Sequence, residues 1–259
     1  MTVLGLPLVY MHLCIGQYTG LSASGAFAKM MPLASGIGWA LVLLAIPVAI
    51  YYNIIVAWSI YYFWYSLIGI FAKVEWSWNR CEPEWASKYN CCELVRTNCY
   101  ENPYAMTSTE AFFHYGVLNR TLIADPQMGT VQSHLLFALL VAWVLVCLGV
   151  FNGLGSIGWA VTFTATIPYL LVEHESLYIS FTVYPAATSF MEYGFLWASL
   201  FFAMVTLSAI DAEFAWLEMI ASSVMDCVGC TDYRQEKRLL LVLCLLFFLC
   251  GIPLTAQVS

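Results

Sequence analysis

The chain has 259 residues, 62% of them hydrophobic and 10% charged, with a formal net charge of −7 at pH 7 and a mean hydropathy of +0.79. A soluble domain carries roughly 25% charged residues, so this composition excludes a hydrated globular surface, and it excludes a disordered or collagen-like chain as well. Nine Lys and Arg residues are too few for a nucleic-acid footprint, which leaves an all-α integral membrane protein and no nucleic-acid partner.

A membrane helix needs about 20 mostly apolar residues, and six stretches are candidates. Leu4–Tyr18 is short, ends in polar residues and has no basic run before it, so it does not read as a signal peptide. Gly36–Phe71 is uncharged and ends in the aromatic run Tyr61, Tyr62, Phe63, Trp64 and Tyr65. At about 1.5 Å per residue it outruns a core roughly 30 Å thick, which predicts tilt or a protruding end, and Pro47 predicts a bend. His134–Val150 is a third span. Gly158–Val172 is a short fourth that runs into Glu173, His174 and Glu175, a costly ending inside lipid. Phe195–Met225 is a fifth and carries Asp211, Glu213 and Glu218. Leu239–Ile252 begins a sixth.

The soluble segment, Ala72–Gln132, holds seven acidic and five basic residues, the cysteines Cys81, Cys91, Cys92 and Cys99, and the glycosylation sequon Asn119-Arg120-Thr121. Clustered cysteines with a sequon predict an oxidising, extracellular face, and four cysteines allow three pairings. The short loop Asp226–Arg238, with Arg234, Lys237 and Arg238, lies three spans away, on the cytoplasmic side that its positive charges favour. Cys227 and Cys230 have metal or redox spacing but no accompanying histidine or second pair, and read as free thiols. Cys14, Cys147, Cys244 and Cys250 read as small apolar residues of membrane helices.

The spans also carry motifs. Gly5-Leu6-Pro7-Leu8-Val9-Tyr10-Met11 with Gly16-Gln17-Tyr18 resembles helix two of the sodium- and chloride-dependent neurotransmitter symporters. Tyr51-Tyr52-Asn53, Ala57-Trp58 and Tyr61-Tyr62 look like helix three. Ala142-Trp143, then Phe163-Thr164-Ala165-Thr166 with Pro168-Tyr169, look like helices four and five. Tyr184-Pro185, then Ile210-Asp211 with Phe214 and Glu218, resemble the approach to helix eight and helix eight itself, and Gly251-Ile252-Pro253-Leu254 resembles the start of helix nine. Each match alone is weak; their order over nearly the whole chain makes them specific. Trp78 and Cys81 with Cys91 resemble the cysteine pair of the family's large second extracellular loop, which implies a Cys81–Cys91 disulfide and leaves Cys92 and Cys99 for a second.

This resemblance implies an incomplete LeuT-type inverted-repeat bundle of about six membrane segments in the plasma membrane. Residues 1–71 correspond to helices two and three, 72–132 to the extracellular loop with Asn119 as its glycosylation site, 133–175 to helix four and the start of five, and 176–259 to the approach to helix eight, helix eight and the start of nine. Helices one, six, seven and ten to twelve are then missing, and Glu173–Tyr178 reads as a junction. Family members hold substrate and sodium between two broken helices at the bilayer midplane, and both broken helices are among those missing.

The match assigns Tyr52 and, one turn earlier on the same face, Val48 to the substrate site; without it both are packing residues. An ionisable residue in mid-span is a functional hypothesis by default, and Asp211 matches a family sodium ligand together with the backbone carbonyl of Ser208. Ala212 stands where the family has a serine ligand, so this is a partial site. Glu213 occupies a position near the substrate that is usually small or polar, Glu218 reads as a buried structural acid, and His12 replaces a usual glutamate. Na+ is the implied coupling ion; a Cl− site would belong mostly to the missing helices. The chain shows no His-Glu-x-x-His, Gly-x-Ser-x-Gly or phosphate-loop motif, so it does not read as an enzyme. The expected function is sodium-coupled symport of a neurotransmitter, amino acid or amine across a lipid bilayer, in a truncated form not competent alone. The alternative is a non-transporting relative that associates with a full-length transporter.

Overall fold

The computed structural model describes residues 5–72, 77–81, 91–93, 105–120, 129–151, 177–229 and 233–256. In chain order the helices are α1 (Gly5–Thr19), α2 (Ala23–Met30), α3 (Ser35–Ala72), α4 (Ser108–Ala111, continued by a π turn to Val117), α5 (Ser133–Phe151), α6 (Leu177–Ser189), α7 (Gly194–Val228) and α8 (Tyr233–Gly251). Two short parallel strands, β1 (Cys91–Cys92) and β2 (Met106–Thr107), pair in the loop between α3 and α5.

Among the described residues, four helical stretches are long and apolar enough to cross a membrane: Ser35–Phe71, Ser133–Phe151, Gly194–Val228 and Arg234–Thr255. They match the expected second, third, fifth and sixth spans. The first expected span forms the 15-residue α1, which buries none of its residues. The expected fourth span, Gly158–Val172, lies outside the described residues. Of the segment Asp226–Arg238, expected as a loop, Asp226–Val228 belongs to α7 and Tyr233–Arg238 to α8. Helix α3 runs its full 38 residues through Pro47 without interruption. Pro47 is exposed, so the carbonyl that its missing N–H leaves unbonded stands at the bundle surface and not inside its core.

The two long helices, α3 and α7, pack along one another and carry α2, α5 and α8 on their flanks. One apolar cluster joins Val42, Ala45, Ala49 and Val56 of α3 to Leu139 and Trp143 of α5, Ile210, Leu217 and Ile220 of α7, and Phe247 of α8. Gly149 makes close packing of α5 on α7 feasible: a Cβ there would stand 2.1 Å from the Phe214 ring. Helix α7 begins after Tyr193 (φ 58°) and ends at Gly229 (φ 70°), whose N–H donates to the Met225 carbonyl. This is a glycine-terminated helix end.

The loop caps one end of the bundle. Trp78 and Tyr62 are wholly buried there with Phe112, Phe113, Phe181 and Phe202. Tyr62 stacks on Trp78 and Phe202 with centroids 5.8 and 4.8 Å apart, and its hydroxyl donates to the Phe181 carbonyl at 3.2 Å. Cys81 and Cys91 form a disulfide with Cα atoms 5.8 Å apart. Cys92 is disulfide-bonded too; Cys99 lies outside the described residues. His134 Nε2 at the head of α5 donates to the Val117 carbonyl at 3.0 Å. In the same cap, Nδ1 of His114 accepts from Arg120 at 3.2 Å. Burial, reinforced by that guanidinium, holds the His114 imidazole below its ordinary pKa against the opposing pull of Glu110.

The other end is closed by α2, an element not foreseen from sequence. Ser22 caps it, its hydroxyl accepting from the Gly25 N–H at 3.3 Å. Asp226 near the end of α7 accepts from both the Ser22 N–H and the Ser22 hydroxyl. The cap contacts the first turns of α7 and Ser22 the last, so Trp78 and Asp226 lie at opposite ends of this helix.

Candidate functional site

The residues assigned to substrate and sodium stand on the two long helices at the centre of the bundle. Val48 and Tyr52 are half-buried on one face of α3. Ser208 and Asp211 are half-buried one turn apart on α7. Ala212, between Asp211 and Glu213, presents only a methyl group. A hard cation takes about six oxygen ligands, and the described residues of this set supply one carboxylate and the Ser208 carbonyl. They do not make a complete sodium site, and the described residues contain no group of three acidic, cysteine or histidine side chains that could hold a metal.

The residue that the fold brings deepest is Glu213. Sequence ranks Asp211 above it, yet Glu213 is 0% exposed and neither carboxylate oxygen has a hydrogen-bond partner among the described residues. Its placement follows from helical phase. Ile210, Leu217 and Ile220 lie three residues before, four after and seven after it, so they share its face, and all three belong to the apolar cluster against α3. Glu213 is therefore an acid in the apolar stripe of α7. Cys244 of α8 is buried in the same apolar cluster, and Tyr52 of α3 and Cys147 of α5 pack against it.

Asn53, next to Tyr52, is also fully buried with both amide atoms unpartnered. Sequence reasoning passed over Asn53, although an amide in a span without charges was a visible signal. The meeting of Cys147 and Cys244, nearly a hundred residues apart along the chain, at one cluster had none. Glu218 is half-buried rather than buried, within electrostatic reach of Glu236 on α8. His12 lies exposed on α1. Asn119 is exposed with φ 48°, a left-handed turn conformation that Asn tolerates. Thr121 of its sequon, Cys230, and the helix-five motif from Phe163 to Tyr169 lie outside the described residues.

Comparison with known proteins agrees with this architecture. The sequence profile of the Sodium:neurotransmitter symporter family matches residues 1–174 and 171–258. The chain is similar to the sodium-dependent transporter snf-12 of Caenorhabditis elegans, 38% identical over 360 residues covering 98% of this chain and 35% of that protein. It is similar to the sodium- and chloride-dependent GABA transporter 2 of Homo sapiens, 30% identical over 170 residues covering 65% of this chain and 27% of that protein. The rat protein of that name is 29% identical over the same share. The chain thus spans well under half the length of these curated relatives. A profile matched across nearly the whole chain, on a mainly helical bundle with four spans of membrane length among the described residues, settles the lineage: the chain belongs to the Sodium:neurotransmitter symporter family.

Proposed function

We propose that this chain is a partial form of a sodium-coupled symporter that moves a small amino acid or amine across the plasma membrane. What supports the reading is the family profile matched across nearly the whole chain, together with a fully buried acid, Glu213, on the face of α7 that packs the cluster against which Tyr52 of the charge-free helix α3 lies. In this reading Val48 and Tyr52 line the substrate, and Ser208 and Asp211 supply part of a sodium site completed by helices absent here. Chloride serves as a second ion bound outside this chain. γ-Aminobutyrate, named for the GABA transporter 2 relatives, represents the substrate class. The cysteine loop faces the exterior, and Asn119 carries a glycan.

Residues 1–71, 72–132, 133–175 and 176–259 then correspond to helices two and three, the outer loop, helix four with the start of five, and the stretch from the approach to helix eight to the start of nine. Two features support a join after Val172. The family profile matches in two stretches that meet at 171–174, and the alignment with snf-12 runs over 360 residues although this chain has 259. Alternating access needs both repeats and the central site between them, so the chain alone does not transport. The test is uptake of labelled amino acids and amines in cells expressing the longest transcript of the gene, with Tyr52→Phe and Asp211→Asn versions beside it. The expected result is saturable, sodium-requiring uptake that Asp211→Asn abolishes; uptake indifferent to sodium or to Asp211 overturns the reading.

A further inference from the structure

Helix α8 has two faces. Leu240, Cys244, Phe247 and Gly251 are buried and turn inward, and Cys244 and Phe247 join the cluster shared with α3, α5 and α7. The opposite face is exposed and graded along its length: Arg234 and Arg238 stand at its head, and Leu241, Leu245 and Leu249 follow. Spacings of three and four residues set these side chains in one lane. From Arg238 to Leu249 the lane runs about 16 Å at 1.5 Å per residue, close to one leaflet of a hydrocarbon core roughly 30 Å thick. The head of the lane is electrostatically costly to the helix itself. Arg234, Lys237 and Arg238 crowd its first turns, with Glu236 as the one acid of α8, and cations at a helix N-terminus oppose the macrodipole. Arg234 and Arg238 are also like charges four residues apart on one face, which disfavours the helix further. Glu236 projects from the far side of the helix, and Lys237 turns to lie 6.0 Å over the Phe151 ring of α5.

An anion at the head of the lane relieves both costs, and the leucines below it choose which anion. A soluble phosphate leaves the apolar lane uncovered, and a neutral lipid leaves the arginine pair uncompensated. A phospholipid with a net negative headgroup answers both in one molecule: its phosphate accepts from the guanidiniums, in the paired geometry that arginine offers, while an acyl chain lies on the leucines. The apolar lane begins directly below Arg238, which sets the guanidiniums at headgroup depth, where long basic side chains reach the interface. We propose that the outward lane of α8 is a binding site for an anionic phospholipid, its headgroup on Arg234 and Arg238 and an acyl chain along Leu241, Leu245 and Leu249. The site is separate from the α3–α7 centre and stands whether or not the chain takes part in transport.

The test is photo-crosslinking of the full chain in phosphatidylcholine nanodiscs doped with phosphatidylserine or phosphatidylcholine that carries a photoactivatable group on one acyl chain. Peptide mass spectrometry locates the label. Phosphatidylserine is expected to label the peptide holding Leu241 to Leu249 roughly five- to thirtyfold more than phosphatidylcholine does, about fivefold for each arginine. Arg234→Gln with Arg238→Gln is expected to bring the two lipids level, and Lys29→Gln, on the exposed lysine of α2, to leave the preference intact. Circular dichroism of each variant reports folding. On the unmodified chain, salt raised to about 1 M is expected to shrink the preference without lowering phosphatidylcholine labelling, so the outcome does not depend on the double variant folding. Glycerophosphoserine, the headgroup without acyl chains, is expected not to displace the lipid. Equal labelling by the two lipids, a preference that survives loss of both arginines or high salt, or label falling mainly outside α8 would each overturn the proposal. Displacement by glycerophosphoserine would overturn the acyl lane, and a second copy of the chain crosslinked to this face in place of lipid would overturn the whole assignment.

Discussion

Replacing Tyr62 by Phe tests how the cap is joined to the bundle. Pro185 lies inside α6 and has no N–H, so the carbonyl four residues earlier, that of Phe181, loses its donor within the helix. The structure supplies a substitute: the Tyr62 hydroxyl, on α3, donates to this carbonyl at 3.2 Å in a wholly buried setting. Tyr62→Phe keeps the ring and its stacking on Trp78 and Phe202 and removes this one bond. Leaving a buried acceptor unsatisfied costs about 1–3 kcal/mol, roughly a five- to hundredfold rise in local opening of α6. Hydrogen–deuterium exchange of peptides spanning 177–190 in nanodiscs reads this directly. In a Pro185→Ala background residue 185 regains an N–H, so the penalty of Tyr62→Phe shrinks by about 1 kcal/mol or more, the coupling that a double-mutant cycle isolates. Equal penalties in the two backgrounds, or no change in exchange for Tyr62→Phe, would refute the argument that the tyrosine compensates for the proline.

Further predictions concern packing, redox state and pH. Gly149→Ala forces a methyl against the Phe214 ring, 2.1 Å from the position its Cβ would take, and is expected to destabilise the bundle by about 1–3 kcal/mol; thermal unfolding in detergent measures this, and Phe214→Leu restores part of the loss. Cys81→Ser or a reducing agent is expected to weaken the cap by about 2–4 kcal/mol, with peptide mapping under non-reducing conditions recovering Cys81 joined to Cys91. Because the folded cap holds the His114 pKa below its unfolded value of 6.5, the unfolded state binds the proton more readily. Cap stability is then full above pH 6.5, falls as the pH drops below it and levels off beneath the folded pKa. Trp78 fluorescence against pH follows this, and His114→Gln flattens that part of the profile.

The spans were legible because lack of charge over 20 or more residues is a one-dimensional signal. Ser35–Phe71 and Ser133–Phe151 emerge within a residue of where the apolar runs put them. What sequence left hidden depends on contacts between distant segments. Helix α2 has eight residues and is held by Asp226, more than two hundred positions away, so its local pattern carried too little to announce it. Trp78 reads as a loop residue until Tyr62 and Phe112 close over it. At the candidate site, Asp211 and Glu213 differ only in phase. An almost uniformly apolar α7 gives little contrast between its faces, and the identity of the core-facing acid emerges once Ile210, Leu217 and Ile220 are seen packed on α3.

The proposed reading is that these 259 residues hold scaffold and part of a sodium-coupled site, and do not transport by themselves. Its most direct test is uptake into proteoliposomes containing this chain alone, with an inward sodium gradient and labelled amino acids and amines. The account predicts no saturable, sodium-requiring accumulation above protein-free vesicles; such accumulation, collapsing when sodium is replaced by potassium, would contradict it.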